Sequence, residues 1–261
     1  MSAAHTGTLY GLGVGPGDPE LITLKAHRIL QACPVVSYPA PDTGPSFARA
    51  IAAQFIPDTA IEVPIVVPMK VARFPAQAVY DTVCETLAQH LLAGRDVAVL
   101  CEGDPFFYGS FMYVYERLGP RFPCEIVPGI SSMMAGGAAI QRPLAARNDV
   151  LTVLPAPLDD GHLEAGIAAS DAVCFIKVGR HLPRLRALIE RMGLMDRASY
   201  LERISLGEQR LAPLAQVPAD PAPYFSMVLL YKGAEAWIET LWRFHIGRKG
   251  QRFNPGFGPF V

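Results

Sequence analysis

The chain has 261 residues, which at about 150 residues per domain corresponds to one large domain or two small ones. Apolar residues make up 51% of it and charged residues 18%, a composition that excludes disorder and promises a sizeable core. The net charge of −1 provides no global field for nucleic acid or an anionic membrane, so any acidic ligand must be met by local basic groups.

Taken in chain order, the first two-thirds repeat a short apolar run, a Gly/Pro turn and a helical period. The expected elements are a strand at Thr8–Val14, a helix at Glu20–Gln31, a strand at Pro34–Tyr38, a helical stretch at Phe47–Phe55 and a strand at Ile61–Val67. There follow a helix at Gln77–Leu92, a strand at Asp96–Cys101, a helix at Phe107–Leu118, a strand at Cys124–Val127 and a small-residue helix at Ser131–Ile140. Strands alternating with helices predict a parallel sheet. The polar stretch QRPLAARND then interrupts the rhythm, and we place a domain boundary there, giving domains at residues 1–142 and 149–235. The second domain is expected to hold strands at Leu151–Leu154, Ala172–Val178, Ala198–Ile204, Leu211–Gln216 and Phe225–Tyr231, with one strong helix at Leu182–Met192. Residues 236–261 form a basic tail with no helical or strand period, a candidate flap near an acidic substrate.

Several chemistries are disfavoured by spacing. The cysteines Cys33, Cys84, Cys101, Cys124 and Cys174 contain no Cys-x-x-Cys pair, and the histidines show no ligand spacing, so we expect neither a disulfide framework nor a metal. GLGVGPGD fails the Gly-x-Gly-x-x-Gly pattern, because the residue five after Gly11 is Pro16 and the residue five after Gly13 is Asp18. A P-loop Gly-Lys-Ser/Thr and a Gly-x-Ser-x-Gly elbow are both missing. The amino-terminal segment lacks the order of a signal peptide, and no apolar run reaches the roughly 18–20 residues needed to span a bilayer. The expectation is a cytoplasmic protein that engages neither nucleic acid nor membrane.

What the sequence does offer is one device used twice, GPGDPE at Gly15–Glu20 and EGDPFF at Glu102–Phe107. In each, glycine permits a sharp turn after a strand, and Asp18 or Asp104 is placed to cap a helix opened by Pro19 or Pro105. VPGISS at Val127–Ser132 adds a third such turn, with Ser131 or Ser132 as the cap. All three lie beyond the carboxyl ends of predicted parallel strands, where open α/β sheets bind ligands.

The segments YGLGVGPGDPELITLKA, CEGDPFFYGSFMYVYERL, VPGISSMMA and RPLAARNDVLTVLPA resemble the tetrapyrrole methylases, from about Thr8 to Gly233. The resemblance is closest to the subgroup that methylates C20 of precorrin-2 in cobalamin synthesis. It implies a two-domain α/β fold, each domain a sheet of about five strands flanked by helices. S-adenosylmethionine (SAM) would occupy the interdomain cleft and leave as S-adenosylhomocysteine. The site residues carried over are Pro16 from the first loop, Glu102, Gly103, Asp104 and Phe107 from the second, and Ser131 and Ser132 from the third. Val178, where relatives have methionine, and Ser226 complete the set. No catalytic residue is assigned. Arg73, Arg142, Arg147, Arg180 and Arg184 are candidates for the substrate's carboxylates, which guanidinium groups bind in bidentate fashion. The resemblance also implies a homodimer, consistent with the broadly apolar helix at Phe107–Leu118. Two alternatives stand beside this reading: a cobalt-precorrin-2 methylase, and a non-catalytic SAM- or tetrapyrrole-binding protein.

Overall fold

The computed structural model describes residues 5–67 and 74–233; Arg73 and the tail from residue 236 lie outside them. The chain divides into two compact units at Ser132/Met133, eight residues ahead of the polar stretch at 141–149.

The first unit is a five-stranded sheet of β1 (Leu9–Gly13), β2 (Val35–Pro41), β3 (Ile61–Val67), β4 (Val97–Cys101) and β5 (Cys124–Val127). Their order is β3-β2-β4-β1-β5 and every pairing is parallel. Both faces are covered, which is why these strands read as continuous apolar runs. α1 (Leu24–Ala32) and α2 (Phe47–Ala52) pack on one face through Ala26, Ile29, Leu30, Ala48 and Ile51, against Leu12, Val36 and Leu100. α3 (Phe74–Leu92) and α4 (Phe111–Leu118) cover the other with Leu87, Leu91, Phe111, Val114 and Leu118, against Leu9, Val35 and Val99.

Two helices start later than expected. The Asp18 carboxylate accepts from the Glu20 backbone N–H at 2.9 Å, closing only a 3-10 turn at Pro19–Leu21. Ile22 is extended, and α1 begins after Thr23, whose hydroxyl accepts from the Ala26 N–H at 3.2 Å. After EGDP, Tyr108 adopts φ 58°, and α4 begins only at Phe111.

The second unit contains α5 (Ser132–Ala139) apart from its first residue. Its sheet comprises β6 (Leu151–Pro155), β7 (Ala172–Ile176), β8 (Ala198–Glu202), β9 (Arg210–Pro213) and β10 (Ser226–Tyr231), in the order β6-β7-β10-β8-β9. Only β6–β7 is parallel; the remaining pairs are antiparallel. Met133 and Ile140 pack with Leu201, Met227 and Leu229, which ties α5 to this sheet rather than to the first. α7 (Leu182–Arg191) packs on the opposite face, together with α6 (Asp160–Ala168), a helix not expected from the sequence. Gly161 and Gly166 weaken α6's intrinsic propensity; Asp159 caps it by accepting from the His162 N–H at 3.0 Å.

In the first unit Glu62 ties β3 to β2 and α2. It accepts from Arg49 Nε at 2.6 Å and Nη2 at 2.8 Å, and from the Tyr38 hydroxyl at 2.6 Å. The Arg49 bonds hold its carboxyl below the usual carboxylate range, burial opposing. A depressed folded pKa stabilises above the unfolded value of about 4.3 and is lost as pH falls through the folded value. Glu62→Gln should therefore lower the melting temperature at pH 7, and the gap to the parent should close below about pH 4. A gap that stays constant across a thermal-melt pH series would contradict this.

Candidate functional site

The loops leaving β1 and β4 part to opposite faces of the first sheet. β1 feeds α1 on one face, and β4, its neighbour, feeds α4 on the other. This is a topological switch point, where an open α/β sheet leaves a crevice outside its carboxyl edge.

The three Gly-containing turns converge there. Gly103 N–H donates to the Gly15 carbonyl at 2.8 Å, and Gly15 N–H to the Gly103 carbonyl at 3.4 Å, a two-bond bridge between the first two turns. Asp104 joins the second turn to the third: one carboxylate oxygen accepts from the Gly129 N–H at 3.0 Å. Its other oxygen accepts from the N–H groups of Phe106 (2.9 Å) and Phe107 (3.0 Å). Asp104 is thus a cross-brace between loops, not the cap of α4.

Glycine is required at the contact itself. A Cβ on Gly129 would overlap the Gly103 carbonyl oxygen and lie 2.8 Å from Gly13 Cα; one on Gly13 would come within 2.7 Å of the same oxygen. Gly103 differs. Its φ of +65° favours glycine, but a Cβ there would make only ordinary van der Waals contact, with Ser131 Cα at 3.7 Å and the Ile130 carbonyl at 3.8 Å. Gly103 therefore lies within contact distance of the PGISS backbone.

Pro16 is buried in the first turn, and Ser131 is buried just ahead of α5, with Ser132 its first residue. Phe107 is exposed and meets Tyr108 edge-on at 5.2 Å. Beneath the EGDP turn, the Tyr80 phenol from α3 bonds Ser110, whose hydroxyl lies 3.9 Å from Cys101 Sγ. Sequence reasoning missed this support, because Tyr80 lies 22 positions from Glu102 and nothing in its local pattern marks it.

In the second unit, Val178 lies in the loop after β7 and Ser226 opens β10, after a loop that meets the first one. The Gly179 carbonyl accepts from the Ala222 N–H at 3.0 Å, and the Ser226 hydroxyl donates to the Pro223 carbonyl at 2.7 Å. The Val178 side chain is fully buried in that unit's core beside Leu182.

The arginines separate. Arg184 donates to Asp160 at 2.7 Å and to the carbonyls of Leu158 and Ala156, joining α7 to α6, so its guanidinium is already engaged. Arg142 is buried, 5.9 Å from the Tyr231 ring, and burial pushes its guanidinium down to about 10. Arg147 and Arg180 are exposed. Among the described residues, no group of three His, Cys, Asp or Glu side chains could hold a metal ion, and no helix is long and apolar enough to cross a membrane.

Comparison with known proteins fits this arrangement. The family model of the tetrapyrrole (corrin/porphyrin) methylases matches residues 8–218, and the chain belongs to that family. It is 41% identical over 242 residues to the cobalamin biosynthesis protein CobIJ of Mycobacterium tuberculosis; the match covers 90% of this chain and 48% of that protein, so the chain spans about half the relative's length. It is 38% identical over 238 residues to a precorrin-2 C(20)-methyltransferase of a Sinorhizobium species, covering 88% of this chain and 97% of the relative. Among solved structures, the uroporphyrin-III C-methyl transferase of Thermus thermophilus complexed with S-adenyl homocysteine superposes with a TM-score of 0.63 at 26% identity. That match covers 87% of this chain and 98% of the other.

Proposed function

We propose that this protein transfers the methyl group of SAM to C20 of precorrin-2 in corrin synthesis. The observation that carries the reading is the convergence of the GPGDP, EGDP and PGISS turns at the switch point, in a chain that is 38% identical to a C20-methyltransferase over nearly its whole length. The donor would lie against the Gly15–Gly103 bridge and the Ser131 backbone, with Asp104 keeping the turns in register.

A sulfonium carries its own activation, so the reaction needs no nucleophile from the protein. The forming carbon–carbon bond replaces the sulfur–methyl bond, and the hydrogen on C20 leaves as a proton. What the chain supplies is alignment, which in well-oriented reactions is worth about 7–11 kcal/mol. Arg147 and Arg180, the exposed pair, are suited to the carboxylates of the substrate.

The deciding experiment incubates the protein with labelled SAM and either precorrin-2 or its cobalt complex. Label at C20 of the metal-free ring is expected. Turnover of the cobalt ring alone would favour the oxygen-independent route, and binding without turnover would favour a carrier or sensor.

The same reading includes a cytoplasmic homodimer. Phe106, Met112 and Tyr115 present exposed apolar surface on the EGDP turn and α4, with Phe106 edge-on to Tyr115 at 5.3 Å. Sedimentation at micromolar concentration should give twice the chain mass, and Tyr115→Lys should shift the protein to monomer. A monomeric parent would remove this part of the reading.

A further inference from the structure

Tyr108 stands at φ 58°, in the left-handed region that bulky side chains rarely adopt, and it is 46% exposed. The fold gains little from a ring at this position, because glycine or asparagine would make the same turn with less strain. The loop that holds it is pinned at both ends. At the start, the Asp104 carboxylate accepts from the N–H groups of Phe106, Phe107 and Gly129. At the far end, Ser110 precedes α4 without capping it, and its hydroxyl is bonded to the Tyr80 phenol instead.

Between the pins, a Cβ on Gly109 would come to 2.5 Å from the carbonyl oxygens of both Asp104 and Pro105. The chain has doubled back, which sets Tyr108 on the EGDP turn itself, at the switch point. Two sets of rings leave this loop. Phe106 turns onto α4, 5.8 Å from Phe111 and 5.3 Å from Tyr115, and belongs to the surface assigned above to a second copy. Phe107 and Tyr108 meet each other edge-on at 5.2 Å. Backbone strain that persists at such a place clusters where ligands are held, and an exposed phenol offers a ring that stacks and a hydroxyl that donates.

We propose that Tyr108 contacts the tetrapyrrole ring of the methyl acceptor and sets the affinity for the acceptor but not for SAM. This rests on the methyl-transfer reading above and adds a specificity residue to it. The acceptor has the two properties a phenol recognises, conjugated apolar faces and a rim of carboxylates. SAM, in the same reading, lies against the backbone of the Gly15–Gly103 bridge and of Ser131, and its binding does not call on the Tyr108 ring.

The test compares the parent, Tyr108→Asn and Tyr108→Phe by steady-state kinetics with precorrin-2, calorimetry with SAM, thermal melting and sedimentation. Asparagine suits the left-handed conformation and removes the ring. That variant should melt no lower than the parent and keep its mass and SAM affinity. Its KM for precorrin-2 should rise about tenfold with kcat unchanged, as expected for the loss of one stacking contact. Phenylalanine keeps the ring and should stay within about threefold of the parental KM. An asparagine variant with the parental KM, an equal loss of SAM affinity, a lower melting temperature or a changed mass overturns the role of Tyr108 and leaves the methyl-transfer reading intact. So does a phenylalanine variant as impaired as the asparagine one. A parent that does not methylate precorrin-2 overturns both.

Discussion

Gly129→Ala is expected to abolish SAM binding and to destabilise the first unit by about 3 kcal/mol or more, at the upper end of overpacking effects. The added methyl would overlap the Gly103 carbonyl oxygen and come within 2.8 Å of Gly13 Cα. Both obstacles are backbone, so no side chain can rotate away. Relief would have to separate the β1, β4 and β5 turns, breaking the Gly15–Gly103 bridge and the Asp104–Gly129 bond. Gly207→Ala serves as the control, since a Cβ there meets nothing within 4 Å. Thermal melting and calorimetry together check the expectation. A stable Gly129→Ala protein with parental SAM affinity would show that the three turns do not form the site.

Asp104→Ala is expected to lower stability by about 2–3 kcal/mol, because three backbone N–H groups lose a charged acceptor at once and their contributions overlap. For a chain of this size that corresponds to a fall in melting temperature of about 4–12 °C. Asp104→Asn separates the brace from the local turn. Its single carbonyl oxygen can still accept from Phe106 and Phe107, but its amide NH2 would then face the Gly129 N–H, donor against donor. The asparagine variant should keep most of the stability and lose about tenfold in SAM affinity. Equal affinity for parent and asparagine variant would mean that the link between the second and third turns does not shape the site.

The strands of the first unit are legible because a sheet covered on both faces demands uninterrupted apolar runs, and VAVLC or VVSY can be little else. Helix starts were less legible. Asp18 and Asp104 have the composition of caps, but each carboxylate is taken up by N–H groups two or three residues on, which closes a turn and delays the helix. The second unit's antiparallel pairings were not legible, since a strand's composition does not state its direction. α6 was hidden by its glycines and is held by tertiary packing of Leu163 and Ile167.

The sequence by itself determined the alternation of strands and helices, the three Gly-containing turns after β1, β4 and β5, and, through those turns, the family. These follow from local rules: burial periodicity, the freedom of glycine and the capping chemistry of aspartate. Only the tertiary structure decided which of the named residues act together. Asp104 meets Gly129 across 25 positions, and Arg184 meets Asp160 across 24, which engages one of the arginines suited to a substrate. A side chain's charge is written in the sequence, but its compensation depends on what the fold packs around it, and here α6 brings Asp160 to the Arg184 guanidinium at 2.7 Å.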